Sequence, residues 1–202
     1  RICAMTREWI IAHFNAHQTK NYGHGDHNLN PGMNPPKSLT QAAVLIPIII
    51  HETDMTILLT QRSNYLAHHP GQVSFPGGHV DTIDASPEDT ALRETKEEVG
   101  IDRSHVEIIG RLSDYWTRTG FAISPIVGIL KPPFDIHPDP SEVAKVFELP
   151  ISFLLNPKNH KLHRSDYKGT YRQFHAMLYK DFYIWGATAG ILMELYSVLK
   201  EK

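Results

Sequence analysis

The chain has 202 residues, 41% of them apolar, which is enough for one hydrophobic core of ordinary size. Its formal net charge of −2 at pH 7 gives no general attraction to nucleic acid or to an anionic membrane surface. The single cysteine, Cys3, excludes a framework of internal disulfide bonds and favours a reducing compartment. The most apolar run, residues 42–50, is too short to cross a bilayer. We therefore expect a cytoplasmic protein with neither a membrane span nor a nucleic-acid partner.

The first part of the chain is predicted to form a short helix followed by a polar arm. Residues 6–14 have helical apolar spacing, with Thr6 as the expected N-cap. Residues 17–37 are rich in Gly, Asn, His and Pro without periodicity, which indicates a linker or wrapping loop with solvated histidines. We therefore divide the chain into an N-terminal helix and arm, residues 1–37, and one main domain, residues 38–202.

The main domain is predicted to combine several strands with two helices. Hydrophobic patterning predicts strands at residues 43–50, 56–61, 106–114, 121–130, 143–149 and 171–178. Helical spacing predicts one helix over Pro87–Val99 and a terminal helix over residues 186–199. Strands that surround two helices without an alternating βα rhythm indicate an α+β sandwich.

The helix Pro87–Val99 has an unusual distribution of charge. At about 100° per residue, Glu94, Glu97 and Glu98 share one face of this helix. Two of these carboxylates lie in the last turn before Gly100, where the negative end of the helix dipole repels them. A solvated acidic face is the simpler explanation of such a run, but it does not explain why a well-specified helix accepts this penalty. A hard divalent cation held by carboxylate oxygens would remove it.

Two neighbouring features favour a metal site over a solvated face. Arg93 precedes Glu94 and can pair with Glu97 four residues further on, which would orient that carboxylate. The turn at Gly77 and Gly78 is expected to bring bare backbone close to the helix, where carbonyl and N–H groups can reach a metal or a phosphate.

The segment that begins at Gly78 resembles the Nudix box, which runs Gly, five residues, Glu, seven residues, Arg-Glu-hydrophobic-x-Glu-Glu-x-Gly-hydrophobic. Its second half is matched by Arg93-Glu94-Thr95-Lys96-Glu97-Glu98-Val99-Gly100-Ile101. This chain has one residue more between Gly78 and Arg93 than the general box. The expected Glu is most nearly matched by Asp84, and Thr95 stands where an aliphatic residue is usual. The resemblance implies a Nudix-type α/β/α sandwich with a mixed β-sheet and hydrolysis of a diphosphate bond.

The sequence on both sides of the box is similar to the coenzyme A pyrophosphatase subgroup of Nudix hydrolases. The matching segments are Leu58-Leu59-Thr60-Gln61-Arg62-Ser63, residues 69–78, residues 80–86 and residues 184–189. Coenzyme A carries a diphosphate and a 3′-phosphate, so its site requires cations and backbone donors near the box. The expected substrate-binding residues are Arg62, His69, Gly71, Gln72, Phe75, Gly77 and Gly78. Packing in the core is an alternative explanation for Phe75.

The resemblance also implies a mechanism, in which a metal-activated water attacks a phosphorus of the diphosphate. Coenzyme A would give 4′-phosphopantetheine, or its acyl form, and adenosine 3′,5′-bisphosphate. The expected ligands of Mg²⁺ or Mn²⁺ are Glu94, Glu98, Glu97 (directly or through water) and the carbonyl of Gly78. The residues expected to take part in catalysis are Glu94, Glu97, Arg93 and Glu142. Glu142 is the preferred general base, although Glu94 can serve instead and position 142 also suits a plain surface glutamate.

Two other functions stay open on the sequence. The first is a Nudix enzyme for another nucleoside diphosphate derivative, such as ADP-ribose or a dinucleotide. The second is a binding protein that keeps the Nudix fold without catalysis, but such a protein should have lost carboxylates of the box, and all three are present. A homodimer formed through the arm or through edge strands is a further expectation.

Overall fold

The computed structural model describes residues 5–17, 23–167 and 169–200, so that Cys3 lies outside the described residues. The helices of this part are α1 (Arg7–Ala16), α2 (Asp26–Leu29), α3 (Pro87–Val99), α4 (Ile151–Leu155) and α5 (Ala187–Leu199). The strands are β1 (His24–Gly25), β2 (Thr40–Ile50), β3 (Met55–Arg62), β4 (Val73–Ser74), β5 (Gly77–His79), β6 (Val106–Arg111), β7 (Tyr115–Trp116), β8 (Phe121–Leu130), β9 (Val143–Pro150), β10 (Lys161–Tyr167), β11 (Thr170–Tyr179) and β12 (Phe182–Trp185).

A mixed sheet of nine strands forms the centre of the fold. Its main path runs β1-β7-β8-β2-β3-β4, with β5 paired to β2, β6 to β8 and β9 to β3. The long pair β2–β8 is parallel, whereas β2–β3 and β3–β9 are antiparallel. The strands β10, β11 and β12 form a separate antiparallel sheet. The predicted α+β class with a mixed β-sheet is therefore confirmed.

The alternation of side chains along β2 divides the core into two layers. Ala43 and Leu45 pack with Ala91 of α3 on one face of the sheet. Ile46 and Ile48 belong to the larger cluster on the other face, which includes residues of α1 and α5. Successive residues of a strand point to opposite faces, so an apolar strand with no polar alternation is what a sheet covered on both sides requires. The helix that carries the carboxylates therefore packs on one face of the sheet, and α1 and α5 pack on the other.

The predicted elements are found wherever local signals are strong. The bounds of α3 are those expected, and the hydroxyl of Thr6 accepts a hydrogen bond from the Trp9 N–H as the N-cap of α1. The predicted turn at Gly77 and Gly78 is wrong, since both residues lie in strand β5 and pair with β2. Glycine has little intrinsic preference for strands, and this pairing depends on a partner more than thirty residues away. Strand β10 is not predicted from the sequence for the same reason, because it is held by pairing with β11.

The prediction that the histidines of the arm are solvated is wrong for two of them. The Nε2 atom of His24 lies 3.3 Å from Oε2 of Glu194, and the ring of His27 lies 5.7 Å from that of Trp116. The arm is fixed by further contacts to distant parts of the chain. Asp26 accepts hydrogen bonds from the Tyr115 hydroxyl and the Arg118 N–H, each at 2.7 Å, and Asn30 accepts one from the Gln173 N–H at 2.7 Å. Such contacts join residues far apart in the chain, so local sequence patterns do not predict them.

The described part of the chain contains no helix that is long and apolar enough to cross a membrane. Helix α1 is packed against its own chain, because Ile10 is fully buried in the larger core cluster. The division of the chain at residue 38 and the homodimer both stay predictions.

Candidate active site

The helix α3 is positioned by caps that its sequence encodes. The Ser86 hydroxyl accepts a hydrogen bond from the Asp89 N–H at 3.1 Å, and Pro87 occupies the first turn, where its missing N–H is not needed. Gly100 ends the helix with φ +75°, a left-handed conformation that favours glycine, and its N–H donates to the carbonyl of Lys96 at 3.0 Å. These ends fix which residues of the helix face the sheet.

The three carboxylates of α3 have different surroundings. Glu98 is only 4% exposed and Glu94 has a side chain that is 16% exposed, whereas the side chain of Glu97 is 57% exposed. Burial is the first cause that raises the pKa of Glu94 above its ordinary value. The same effect is larger at Glu98, where burial and the negative charges of Glu142 and Glu94 raise the pKa to about 8.

The charge of Glu142 acts on two carboxylates of α3. Glu142 lies in the turn directly before β9, and its negative charge raises the pKa of both Glu98 and Glu94. Two groups lower the pKa of Glu98 in return, the guanidinium of Arg62 and a backbone hydrogen bond from Gly77. The structure therefore assembles one cationic side chain and three carboxylates from three separate segments of the chain.

Arg93 organises the outer side of the cluster. Its Nε and Nη2 atoms donate to the two oxygens of Asp84 at 3.0 and 2.9 Å, and its Nη1 donates to Glu94 at 2.9 Å and to Glu97 at 3.2 Å. The pairing with Glu97 is therefore present, but the planar two-point contact is made with Asp84. The Asp84 side chain is 3% exposed and also accepts from the Thr90 hydroxyl at 2.8 Å, and the Arg93 guanidinium holds the pKa of Asp84 far below its usual range.

The contact between Arg93 and Asp84 explains why an aspartate can stand near the place where the box has a glutamate. Asp84 stands nearest to the expected glutamate of the box, and here it fixes the side chain of Arg93. Thr90 was not identified from the sequence, although a hydroxyl on the buried face of a helix, three residues before Arg93, is a signal that a polar partner is needed there.

The glycine at position 78 is required by the close approach of strand β5 to helix α3. A Cβ atom built on Gly78 would lie 2.5 Å from the carboxylate carbon of Glu94. The backbone of β5 therefore passes against the carboxylate, as the sequence predicts for a turn and the structure shows for a strand.

The loop between β3 and β4 carries the other predicted substrate-binding residues. Its two ends are closed by hydrogen bonds from the Arg62 N–H to the Gln72 carbonyl at 2.9 Å and from the Gly71 N–H to the Arg62 carbonyl at 3.2 Å. His69 has φ +53° and its carbonyl accepts from the Gln72 N–H at 3.3 Å. The loop therefore returns to Arg62, and Arg62 lies beside the carboxylate cluster.

Phe75 is a correction to the predicted set of substrate-binding residues. It is 3% exposed and belongs to the larger core cluster. A ring that is buried among aliphatic side chains cannot stack on a nucleobase without leaving the core, so packing is its role in this structure.

The Nε atom of Arg62 is a buried polar group beside the candidate site. It is buried and, within the described residues, has no hydrogen-bond partner. Leaving a charged donor unsatisfied in this way is costly, and a phosphate oxygen is the acceptor that a guanidinium binds best.

The carboxylates of the site are suited by their chemistry to bind a divalent cation, but their positions in this structure do not form a coordination site. Oxygen ligands from Glu94, Glu98 and Glu142 are the type that Mg²⁺ and Mn²⁺ prefer, and the mutual repulsion of these groups is what a cation relieves. As the side chains stand, no three acidic or histidine groups of the described residues converge closely enough to hold a metal ion. In this arrangement the Nη1 atom of Arg93 donates hydrogen bonds to both Glu94 and Glu97. The predicted ligand set Glu94, Glu97, Glu98 and Gly78 stays a prediction.

The chain is similar to proteins of one known family. The NUDIX domain matches residues 39–173. A protein of Enterobacter sp. (strain 638) named uncharacterized Nudix hydrolase NudL is 44% identical over 155 residues, which are 77% of this chain and 80% of that protein. A protein of the same name from Citrobacter koseri is 45% identical over 157 residues, again 77% of this chain and 80% of that protein.

A solved structure shows the same fold at low sequence identity. The crystal structure of a MutT/nudix family protein from Enterococcus faecalis superimposes with a TM-score of 0.50 and 16% identity, covering 83% of this chain and 64% of that one. With a domain match over most of the chain and relatives above 40% identity, the chain belongs to the Nudix hydrolase family.

Proposed function

We propose that this Nudix hydrolase cleaves the diphosphate bond of coenzyme A or of its derivatives, giving 4′-phosphopantetheine or its acyl form and adenosine 3′,5′-bisphosphate. The observation that carries the proposal is the buried Nε of Arg62, which has no hydrogen-bond partner among the described residues and whose positive charge acts on the carboxylate of Glu98. A cationic fork next to an acidic cluster suits a substrate that brings phosphate oxygens together with a divalent cation. The resemblance of residues 58–63 and 69–78 to the coenzyme A subgroup narrows the substrate.

The proposed chemistry assigns one task to each group of this chain. Nudix hydrolases use divalent metal ions, and a cation held by Glu94 and Glu98 would make a water more acidic and neutralise charge on the diphosphate. The Nε–H of Arg62 donates to a phosphate oxygen. Glu142 accepts a proton from the attacking water. The oxygen of that water bonds to phosphorus while the bridging P–O bond breaks. Arg93 holds the carboxylate of Glu94 in place through its own anchor on Asp84.

The substrate is tested with a panel of diphosphates in the presence of Mg²⁺ or Mn²⁺. Coenzyme A, an acyl-CoA, dephospho-CoA, ADP-ribose and a dinucleoside polyphosphate are compared by kcat/KM, and the products are identified by mass spectrometry. We expect coenzyme A to be preferred, and dephospho-CoA to be poorer because it lacks the 3′-phosphate. Equal turnover of coenzyme A and ADP-ribose would reject the narrower proposal and leave a diphosphatase of another specificity.

A Nudix-fold binding protein without catalysis is distinguished by the same panel. Such a protein would turn over none of the substrates at any metal concentration. The carboxylates Glu94, Glu97 and Glu98 are all retained and two of them are largely buried, which favours an enzyme.

A further inference from the structure

The turn that precedes strand β9 is built around one aspartate. A single oxygen of Asp139, Oδ1, accepts hydrogen bonds from both the N–H and the hydroxyl of Ser141, at 2.8 and 2.7 Å. The carbonyl of Asp139 accepts two more, from the N–H of Glu142 at 3.1 Å and from that of Val143 at 2.8 Å. Side chain and backbone of this residue together fix the conformation of residues 139–143.

The neighbours of Asp139 leave the turn few other ways to form. Pro138 and Pro140 stand on either side, and neither has a backbone N–H to donate. The next free donor is the N–H of Ser141, and Asp139 is the residue that takes it. Loss of the Asp139 carboxylate therefore removes a side-chain oxygen that accepts two hydrogen bonds within a segment containing two prolines.

The same turn is attached to both sides of the candidate active site. The N–H of Asp139 donates to the carbonyl of Glu98 at 2.9 Å, which is one of the last carbonyls of helix α3 and has no partner within the helix. On the other side, the N–H of Ser63 donates to the carbonyl of Glu142 at 2.8 Å. The turn therefore connects the end of helix α3 to Ser63 through two backbone hydrogen bonds.

From these contacts we propose that Asp139 is a positioning residue, which holds the Glu142 side chain against the carboxylates of α3 through the hydrogen bonds of its Oδ1 atom. The inference rests on the proposed function of Glu142 as general base. Asp139 itself touches neither substrate nor reacting atoms in this scheme. Its effect is exerted on the placement of a group three residues further along the chain.

The position of Asp139 predicts which chemical property matters. Both bonds to Ser141 are accepted by one oxygen, and the amide oxygen of asparagine can accept them equally well. The negative charge of Asp139 is therefore dispensable, and its oxygen is not. Asp135 lies in the same connection and is exposed, which makes it a matched control for loss of a carboxylate.

The test compares Asp139→Ala, Asp139→Asn, Ser141→Ala and Asp135→Ala on the diphosphate substrate that the wild type cleaves best. We expect Asp139→Ala to lower kcat by about 10- to 100-fold with KM close to that of the wild type, as for other residues that orient a reacting group. Asp139→Asn should restore most of the lost kcat, Ser141→Ala should fall between the two, and Asp135→Ala should match the wild type. Melting temperatures are measured on all four variants.

Several outcomes would overturn the inference. A wild-type kcat for Asp139→Ala would do so, and so would an Asp139→Asn variant as slow as Asp139→Ala, because charge rather than hydrogen bonding would then matter. A Glu142→Gln variant with wild-type kcat would remove the group that Asp139 is proposed to place. A wrong substrate assignment is recognised separately in the substrate panel, and it leaves this comparison intact because the variants are measured on whichever diphosphate is cleaved.

Discussion

Replacing Glu98 by glutamine tests the electrostatic state of the candidate site. Burial, followed by the charges of Glu142 and Glu94, raises the pKa of Glu98 from 4.5 to about 8. A tenfold change in an ionisation constant corresponds to about 1.4 kcal/mol, so ionising Glu98 in the folded, metal-free protein costs on the order of 5 kcal/mol relative to the unfolded chain. Glutamine has nearly the same shape and carries no charge, so the variant does not bear this cost.

The sign of the effect follows from where the proton is bound. Below about pH 4.5 both states of the wild type hold the proton and the penalty is absent. As the pH rises toward 8, the unfolded chain releases the proton while folded Glu98 retains it, so the wild type loses stability over this range. Above about pH 8 the full penalty is present.

The assay is urea denaturation of both proteins in the presence of a chelator, at about pH 5, 7 and 9. We expect the stability of Glu98→Gln relative to the wild type to increase by several kcal/mol from the lowest to the highest pH. The control is Glu97→Gln, which removes a carboxylate of the same helix whose side chain is 57% exposed. Saturating Mg²⁺ at high pH should stabilise the wild type more than the Glu98→Gln variant.

A stability difference that does not change with pH would refute this reasoning, because Glu98 would then have an ordinary pKa. The activity of the same variant provides an independent check. Loss of a carboxylate that binds the cation should lower kcat by more than about 100-fold while the fold is retained. Unchanged turnover would reject the assignment of Glu98 as a metal ligand.

Three further variants test other parts of the site. Gly78→Ala places a Cβ 2.5 Å from the Glu94 carboxylate, so we expect kcat to fall while stability, measured by urea denaturation, changes by only about 1 kcal/mol. Arg62→Lys keeps the charge but removes the buried Nε–H, and kcat/KM should fall by about 10- to 100-fold; an unchanged value would argue against a phosphate contact. Asp84→Ala leaves Arg93 without its two-point partner and should cost about 2–3 kcal/mol of stability in thermal or urea unfolding, a result contradicted by wild-type stability.

The part of the fold that the sequence predicts well is the part specified by neighbours along the chain. Helix α3 was located with the right ends because Ser86, Pro87 and Gly100 act on the backbone within one turn. Strands β5 and β10 are not predicted from the sequence, because each is stabilised by pairing with another strand and not by a local pattern of its own residues. The order of the arm depends on contacts such as Asp26 with Tyr115, about ninety residues apart, which no local pattern encodes.

The same division applies to the candidate site. Spacing placed Glu94, Glu97 and Glu98 on one face of a helix, but it could not show that Glu97 turns outward and Glu98 inward. The two-point partner of Arg93 proved to be Asp84, nine residues earlier, because the loop before the helix folds back over it. The burial of Phe75 in the core also could not be predicted, because it depends on the residues that distant parts of the chain pack around the ring.

The energetic conflict at the end of α3 connects the sequence to the proposed chemistry. A buried carboxylate in the last turn is opposed by the helix dipole, by loss of solvent and by the charge of Glu142. Lys96 is the basic residue of the last turn and it pairs with Asp102 at 2.9 Å. Arg62 and Gly77 lower the pKa of Glu98 only in part. Backbone hydrogen bonds hold the segments that carry the like charges close together. The N–H of Asp139 donates to the carbonyl of Glu98, and the N–H of Ser63 donates to the carbonyl of Glu142. Tethers that hold like charges in place make physical sense if a cation completes the site during catalysis.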